Sequence, residues 1–358
     1  MKIGIIKEQN DRRVAMLPGL LPKVKEQLGV EILVEKGAGS GASLPDDLYA
    51  EHATIVDRKK LLAEAGLIVS VNPLSDEEHA KLSKETVLVS RYEPYNRPEV
   101  NGKLKELGLT AYSLDMIPRT TLAQAMDVLS SMASIAGYRA VLVAAENLTR
   151  YFPMMITAAG SIRPARVLVL GAGVAGLQAI ATARRLGAMV EAFDTRAAAK
   201  EEVQSLGAKF VEVAGARDDT SAGGYAVEQS EEFLQRQRAE VQERASKADV
   251  IITTAQVRGR KAPLLVPEET IEKMKPGAVI VDLAASSGGN CAFTQDRQTI
   301  QHNGVTIIGD SDLSADMPED ASLLFGNNLL NFLKLLVKEG AYQPESENEI
   351  VTSSMITA

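Results

Sequence analysis

The chain has 358 residues, 45% of them apolar, which exceeds one typical domain and is enough to fill ordinary cores, so two globular domains are expected and a disordered chain is excluded. Its formal net charge of −8 argues against a nucleic-acid partner, which needs clustered Lys and Arg, and favours small molecules or proteins. The single cysteine, Cys291, excludes an internal disulfide framework and fits a reducing cytosol, while the scattered His52, His79 and His302 show no metal-ligand spacing, so no metal is expected.

The first segment, MKIGIIKEQNDRR, turns charged too early for a signal peptide. Apolar, β-rich runs follow at 2–6, 31–35, 66–71, 86–91 and 109–114, separated by stretches of helical periodicity, which is the pattern of a βαβ series. Within it GAGSGAS, at 37–43, reads as a surface loop because SLPDDLY intervenes before helical periodicity resumes. AQAMDVLSSMASIAGYRAVLVAAENL then carries apolar residues at helical spacing without a proline and predicts one long helix joining two domains. No run reaches the roughly 20 uninterrupted apolar residues that span a bilayer, so no direct membrane insertion is expected.

A second series of strands is predicted at 167–170, 189–193, 209–213, 250–254, 278–283 and 305–309. DMPEDASLLFGNNLLNFLKLLVKEG follows as a helix, with Pro318 suited to a first turn and Glu319 and Asp320 complementing the helix dipole. The second set of strands is complete before this helix, so the helix is expected to return to the first domain. The fold class is therefore α/β: two Rossmann-like domains with parallel sheets, separated by a cleft and joined by long helices. The expected boundaries are 1–127 plus 316–358 for a discontinuous first domain and 128–315 for a nucleotide-binding second. Leu and Phe on more than one face of the last helix predict a homodimer surface, with burial of that helix inside the chain as the alternative, and the polar tail QPESENEIVTSSMITA is sparse in apolar residues, which leaves its order open.

Gly171, Gly173 and Gly176 stand in G-A-G-V-A-G directly after a strand and before a helix. The first glycine suits a tight turn, the second lets backbone amides approach a pyrophosphate, and the third lets the helix lie close to the sheet. Asp194 ends the next strand, about 20 residues on, where a carboxylate can accept both hydroxyls of an adenosine ribose and repel a 2′-phosphate. That favours NAD over NADP, with Arg196 nearby as a qualifying cation.

PRTTLAQAMDVLSSMASIAGYRAV, TAAGSIRPARVLVLGAGVAGLQAIATARRLGA, AGGYA, VIITTA and GAVIVDLAASSGGNC together resemble the NAD(H)-binding component, domain I, of the proton-translocating, Si-type nicotinamide nucleotide transhydrogenases, over nearly the whole chain to about residue 340. The resemblance implies hydride transfer from NADH to NADP+ held on a partner component, with activity only in that partner's presence. It also implies a membrane component as partner and a cytoplasmic location, peripheral to the inner membrane. Arg119, Gln124, Asp127 and Ser130 match the family's active loop: Arg119 as a cation toward the phosphates, Gln124 toward the second nucleotide, Asp127 and Ser130 toward the nicotinamide carboxamide. Helix capping is the ordinary alternative for such residues near a helix start. Val174, Thr195 and Arg196 join the nucleotide-binding set, Tyr225 and Gly224 belong to a loop that closes over nucleotide, and Gln237 and Gln256 line the adenosine and ribose. Gln256 departs from the family's usual leucine, VRGRKAP from IPGKPAP, and TTLAQA from ISRAQS.

Alanine dehydrogenase is the related competitor, and it employs an arginine, a lysine, a histidine and an aspartate for substrate and acid/base chemistry. Only the arginine has a counterpart, Arg13, expected here to be a structural or surface residue. Asn72 stands at the lysine position, VLVSRYEPYN has no histidine, and Ser286 stands at the aspartate position. An NAD-dependent amino-acid dehydrogenase and a non-catalytic NAD-binding protein are the two alternatives to a transhydrogenase component.

Overall fold

The structure is a computed structural model and describes residues 1–212 and 230–357. The chain divides into two compact units, Met1–Met132 with Ser314–Ala358, and Ala133–Leu313.

The first unit is built on six parallel strands, β1 (Lys2–Ile5), β2 (Glu31–Glu35), β3 (Thr54–Val56), β4 (Leu67–Val69), β5 (Val87–Ser90) and β6 (Thr110–Ser113), in the order β3-β2-β1-β4-β5-β6. The central strands are continuous apolar runs because both sheet faces are covered, and Ile3, Ile5, Val69 and Val89 are wholly buried. Strand order reverses between β1 and β4, so the crevice at their carboxyl ends is the topological switch point. The short, partly exposed strand β3 is the one element of this sheet absent from the sequence reading.

The helix Pro318–Leu336 starts with proline in its first turn, followed by Glu319 and Asp320. Phe325, Leu329, Leu330, Phe332 and Leu333 are all buried within this unit, and Phe332 meets Tyr112 edge to face at 5.7 Å. The apolar excess that predicted a dimer surface is thus consumed inside the unit, leaving only Leu323 and Leu324 exposed. The tail is ordered. Asn348 caps the helix Glu349–Ser354, Ile350 and Val351 are buried, and Ala111 bonds both to Thr357 (3.0 Å) and to the Ile356 amide (3.0 Å). Three apolar residues spaced to pack on β6 are enough to order a polar segment. GAGSGAS is likewise more than a surface loop: Ala38 and Ala42 are buried, and a Cβ at Gly41 would lie 2.4 Å from the Arg12 carbonyl oxygen.

The second unit carries a hairpin of β7 (Met155–Thr157) and β8 (Gly160–Ile162), then a seven-stranded sheet. Its strands are β9 (Arg166–Leu170), β10 (Met189–Phe193), β11 (Lys209–Phe210), β12 (Val250–Thr253), β13 (Val279–Asp282), β14 (Gln298–His302) and β15 (Val305–Gly309). Their order is β11-β10-β9-β12-β13-β15-β14, parallel except for the edge strand β14, and the switch point falls between β9 and β12. The helix Val128–Asn147 is long and apolar enough to cross a bilayer by length and composition, but Ala136, Ala140, Val141 and Ala144 lie in the core of this unit. Gly137 lets it approach the nucleotide-loop helix, since a Cβ there would sit 2.1 Å from the Ala175 carbonyl oxygen.

Candidate dinucleotide-binding site

β9 ends in Gly171, whose φ of +102° is left-handed and whose Cβ, if present, would meet Thr254 Oγ1 at 2.5 Å. The turn delivers the chain to Gly173, the residue before the helix Val174–Arg185. A Cβ on Gly173 would meet nothing within 4 Å, whereas one on Gly176 would fall 1.9 Å from the Gly171 carbonyl oxygen. Gly176 thus seats the helix against the turn, and Gly173 leaves open space before the first-turn amides of Val174, Ala175 and Gly176. Unpaired amides at a helix N-terminus are suited to an anion. This combination of open space and donors fits a pyrophosphate.

Thr254, directly after β12, closes the other side of the switch point by bonding to the Gly171 carbonyl at 3.2 Å. Gln256 donates to the Leu283 carbonyl at 2.8 Å. Both strand ends are tied down by two residues that the motif reading does not include. Asn290, fully buried, bonds to the amide and carbonyl of Ala255 (3.0 and 2.9 Å) and to the Pro263 carbonyl (2.8 Å). Asp282, also fully buried, accepts from the amides of Ala284, Asn290 and Cys291 and from the Thr294 hydroxyl. An Asp at a strand end followed by a Gly-Gly-Asn turn is the only sequence signal for this scaffold.

At the end of β10 the Asp194 carboxylate accepts the Ala172 amide at 2.7 Å and the Arg196 amide at 2.9 Å, and is bridged by the Arg196 guanidinium at 3.0 and 3.1 Å. Burial would raise the Asp194 carboxyl, but Arg196 and the two amides outweigh it and hold it below the ordinary carboxylate range. Thr195 is exposed beside it, as is Val174 on the glycine loop, and Gln237 is half-buried on the helix Glu231–Lys247 leading into β12. Gly224 and Tyr225 lie outside the described residues.

The four active-loop positions are in the first unit. Arg119 and Gln124 are exposed, and Gln124 sits on a 3-10 turn, Thr121–Met126, not on the long helix. The helix begins only at Val128, so the long helix expected from AQAMDVL onward is corrected: Gln124 and Asp127 precede it, and only Ser130 lies on it. Asp127 caps the helix, accepting the Ser130 amide at 2.9 Å and the Ser130 hydroxyl at 2.6 Å. The loop is anchored from behind: Asn328 and Asn331 both donate to the Ala125 carbonyl (2.9 and 3.1 Å), and Ser131 donates to Asn328 at 2.7 Å. Asparagines in an otherwise apolar helix, GNNLLN, are the legible sign of that anchor.

The first unit's own switch point is filled. Glu8, following β1, accepts the amides of Val71 (2.6 Å) and Asn72 (3.1 Å), which follow β4. Asn72 also donates to Asp11 at 2.8 Å. Asp11 in turn clamps Arg13, with Nε at 3.0 Å and the guanidinium terminus at 2.5 Å. Arg13 is buried, so of the two expectations for it the structural one holds. Ser286, at the second altered position, is held through its amide by the Ser311 hydroxyl at 2.9 Å.

Residues 4–136 match the N-terminal domain model, and residues 140–358 the C-terminal domain model, described as alanine dehydrogenase/PNT. The chain belongs to the alanine dehydrogenase/PNT family. It is 47% identical over 345 residues to the first of the parts that make up NAD(P) transhydrogenase subunit alpha in Rhodospirillum rubrum, covering 93% of this chain and 89% of that protein. Against NAD(P) transhydrogenase subunit alpha of Haemophilus influenzae it is 43% identical, covering 95% and 67% respectively. Alanine dehydrogenase of Bacillus subtilis is a more distant relative, at 25% identity over the whole of this chain and 91% of that one. Among solved structures, the transhydrogenase of Sinorhizobium meliloti superposes with a TM-score of 0.91 at 40% identity, covering 99% of this chain and 98% of the other.

Proposed function

We propose that this chain is the NAD(H)-binding component of a proton-translocating, Si-type NAD(P) transhydrogenase, passing hydride directly to or from NADP(H) on a separate component. The observation that carries this reading is the contrast between the two switch points, one offering a glycine loop and the other filled by Glu8, Asn72, Asp11 and Arg13. It is supported by the transhydrogenase names of the relatives at 39–47% identity. When bound, the nicotinamide supplies the hydride. Gly171, Gly173, Val174 and Gly176 would receive its pyrophosphate, Asp194, Thr195 and Arg196 its adenosine ribose, and Gln237, Gln256, Gly224 and Tyr225 would line the remainder.

Arg119 would contribute positive charge toward the phosphates, and Gln124, exposed on its turn, would reach the second nucleotide. Asp127 and Ser130 would present one ring face, an assignment that requires them to exchange their capping bonds for bonds to the carboxamide. A domain division at 127–128 and 315–316, a membrane component as partner, and a location on the cytoplasmic side of the inner membrane complete the proposal. The homodimer is retained with a different surface: the β7–β8 hairpin exposes Met155, Ile156 and Ile162, with Met154 beside it, and an isolated hairpin is marginal in water. An amino-acid dehydrogenase is disfavoured because Arg13 already holds an internal carboxylate.

The test mixes the chain with a purified NADP(H)-binding component from a related transhydrogenase and follows reduction of a nicotinamide analogue. A rate that appears only with both components is expected, and Gln124→Asn should slow transfer while leaving NADH binding nearly intact. Alanine-dependent NADH formation at an enzymatic rate, on the order of 1–10³ per second, would refute it.

A further inference from the structure

At the base of the second sheet, the end away from the glycine loop, the parallel register pairs Arg166 with Met189 and Leu168 with Glu191. Side chains two apart on a strand share a face, so all four stand on one face of β9 and β10. Leu168 belongs there to one core with Val241 and Ala245 of the helix Glu231–Lys247, so this is the face that the helix covers. The cover stops short. The helix ends at Lys247, and the chain turns into β12 through Ala248, whose methyl group does not fill the corner. A cavity of about 290 Å³ remains between the helix end and the two strand starts, at the lower end of the roughly 300–1,000 Å³ that holds small molecules.

The charges around this cavity do not cancel. Glu191 is bridged by Arg244 at 2.6 Å and, from β11, by Lys209 at 3.5 Å, and Glu243 is paired with Lys247. Arg244 and Lys247 also lie in the last helical turn, where cations complement the dipole. Arg166 has no such employment. Among the described residues its guanidinium forms no hydrogen bond or ion pair, and only its backbone is held, its amide by the Asp249 carboxylate at 2.8 Å and its carbonyl by the Asp249 amide at 2.9 Å. Beside this spare cation the cavity has an apolar floor, formed by the buried Leu168 and by Met189, which is 54% exposed.

We propose that the cavity binds a small amphiphilic monocarboxylate, with its carboxylate on Arg166 and its hydrocarbon body on Leu168 and Met189. A guanidinium fork matches a carboxylate through two parallel hydrogen bonds. One uncompensated cation answers one negative charge, and the neighbouring Glu191 and Glu243 disfavour a dianion such as a phosphate monoester. The apolar floor adds affinity only for an anion that carries a hydrocarbon body. The site stands at the opposite end of β9 from Gly171, so its ligand and a dinucleotide occupy the chain together, and the assignment does not depend on the function proposed above.

The experiment is calorimetric titration of the full chain with octanoate, with acetate and octylammonium as controls, each in the absence and presence of saturating NADH. Octanoate should bind saturably whether or not NADH is present, about tenfold or more tighter than acetate, and octylammonium should not bind. Arg166→Gln should weaken octanoate by about tenfold or more, Arg166→Lys should retain part of the affinity, and Met189→Gln should weaken it severalfold. Both side chains are exposed, so melting temperature and NADH affinity should be unchanged in these variants. Absence of saturable octanoate binding, equal binding of octylammonium, or unchanged octanoate affinity in Arg166→Gln would overturn the proposal and leave a solvent-filled gap. Displacement of octanoate by NADH would overturn it by placing the probe in the nucleotide site. The NADH titration of the same samples reports on the nucleotide assignment separately.

Discussion

Replacing Asp11 by alanine tests whether the first unit has internalised the carboxylate that an amino-acid dehydrogenase would accept as substrate. Arg13 has a fully buried side chain and Asp11 one that is 5% exposed, so the pair is shielded from water. Removing one member of a buried pair costs about 3–5 kcal/mol. Arg13 keeps its bond to the Ser314 hydroxyl at 2.9 Å, which places the loss near the lower end, about 3 kcal/mol. For a unit of this size the melting temperature should drop by about 6–12 °C. The informative arm is rescue: acetate or pyruvate, entering the space left by the Asp11 carboxylate beside the Arg13 guanidinium, should raise the melting temperature of Asp11→Ala with a saturable concentration dependence and leave the unaltered protein unmoved. A variant within about 0.5 kcal/mol of the parent, or one that responds to acetate no differently from the parent, refutes the internal-carboxylate reading.

Burial, acting against the amide bonds from Val71 and Asn72, raises the Glu8 carboxyl to about 7. The folded chain then holds a proton that the unfolded chain releases near its ordinary value. Stability from this group is complete below that value and is lost as pH rises toward 7, by about 3 kcal/mol in all, and urea midpoints across pH 4–8 should show Glu8→Gln flattening the slope. Gly176→Ala should lower stability by about 3 kcal/mol and weaken NADH binding more than tenfold, because its Cβ would fall 1.9 Å from the Gly171 carbonyl oxygen; calorimetry reads both. The Cys291 thiol, pushed up to about 12 by burial and by Asp282, should resist iodoacetamide at pH 8 in the folded protein and react on unfolding, and rapid labelling of the native chain would contradict this.

What can be read from the sequence follows from how far each signal reaches along the chain. The central strands announce themselves because both faces of a parallel sheet are covered, so runs such as VLVL at 167–170 are apolar without alternation. The glycine loop is legible because turn, ligand approach and helix seat are demanded at three positions within six residues. β3 and the β7–β8 hairpin are three-residue strands with exposed positions, and nothing in TIV, MIT or GSI separates them from loop. The tail escapes a reading by composition for a related reason: its order comes from the burial of only three apolar residues, Ile350, Val351 and Ile356, and from pairing with Ala111, far away in sequence. The same holds at the candidate site. Asp194 stands at a motif position, but its partner count is set by geometry, and the anchoring of the Thr121–Met126 turn by Asn328 and Asn331 joins residues some 200 positions apart.

The two sheets share the strand order that creates a switch-point crevice, so fold alone would allow a nucleotide in either. Local chemistry separates them. In the second unit the residues after β9 offer amides and open space to an anion. In the first, the amides after β4 are already spent on the Glu8 carboxylate, and Asp11 adds a second acid beside them. A pyrophosphate entering there would lose its donors and meet two carboxyl groups, a combination that no rearrangement of side chains alone corrects, because Glu8 and Asp11 are themselves held by Asn72 and Arg13. One dinucleotide per chain follows for the described residues. Direct hydride transfer, however, needs two nicotinamides within roughly 3–3.5 Å in aligned geometry. On the function proposed above, the second ring would come from another polypeptide, and the exposed Gln124 turn, held from behind by two asparagines, would be the surface that meets it.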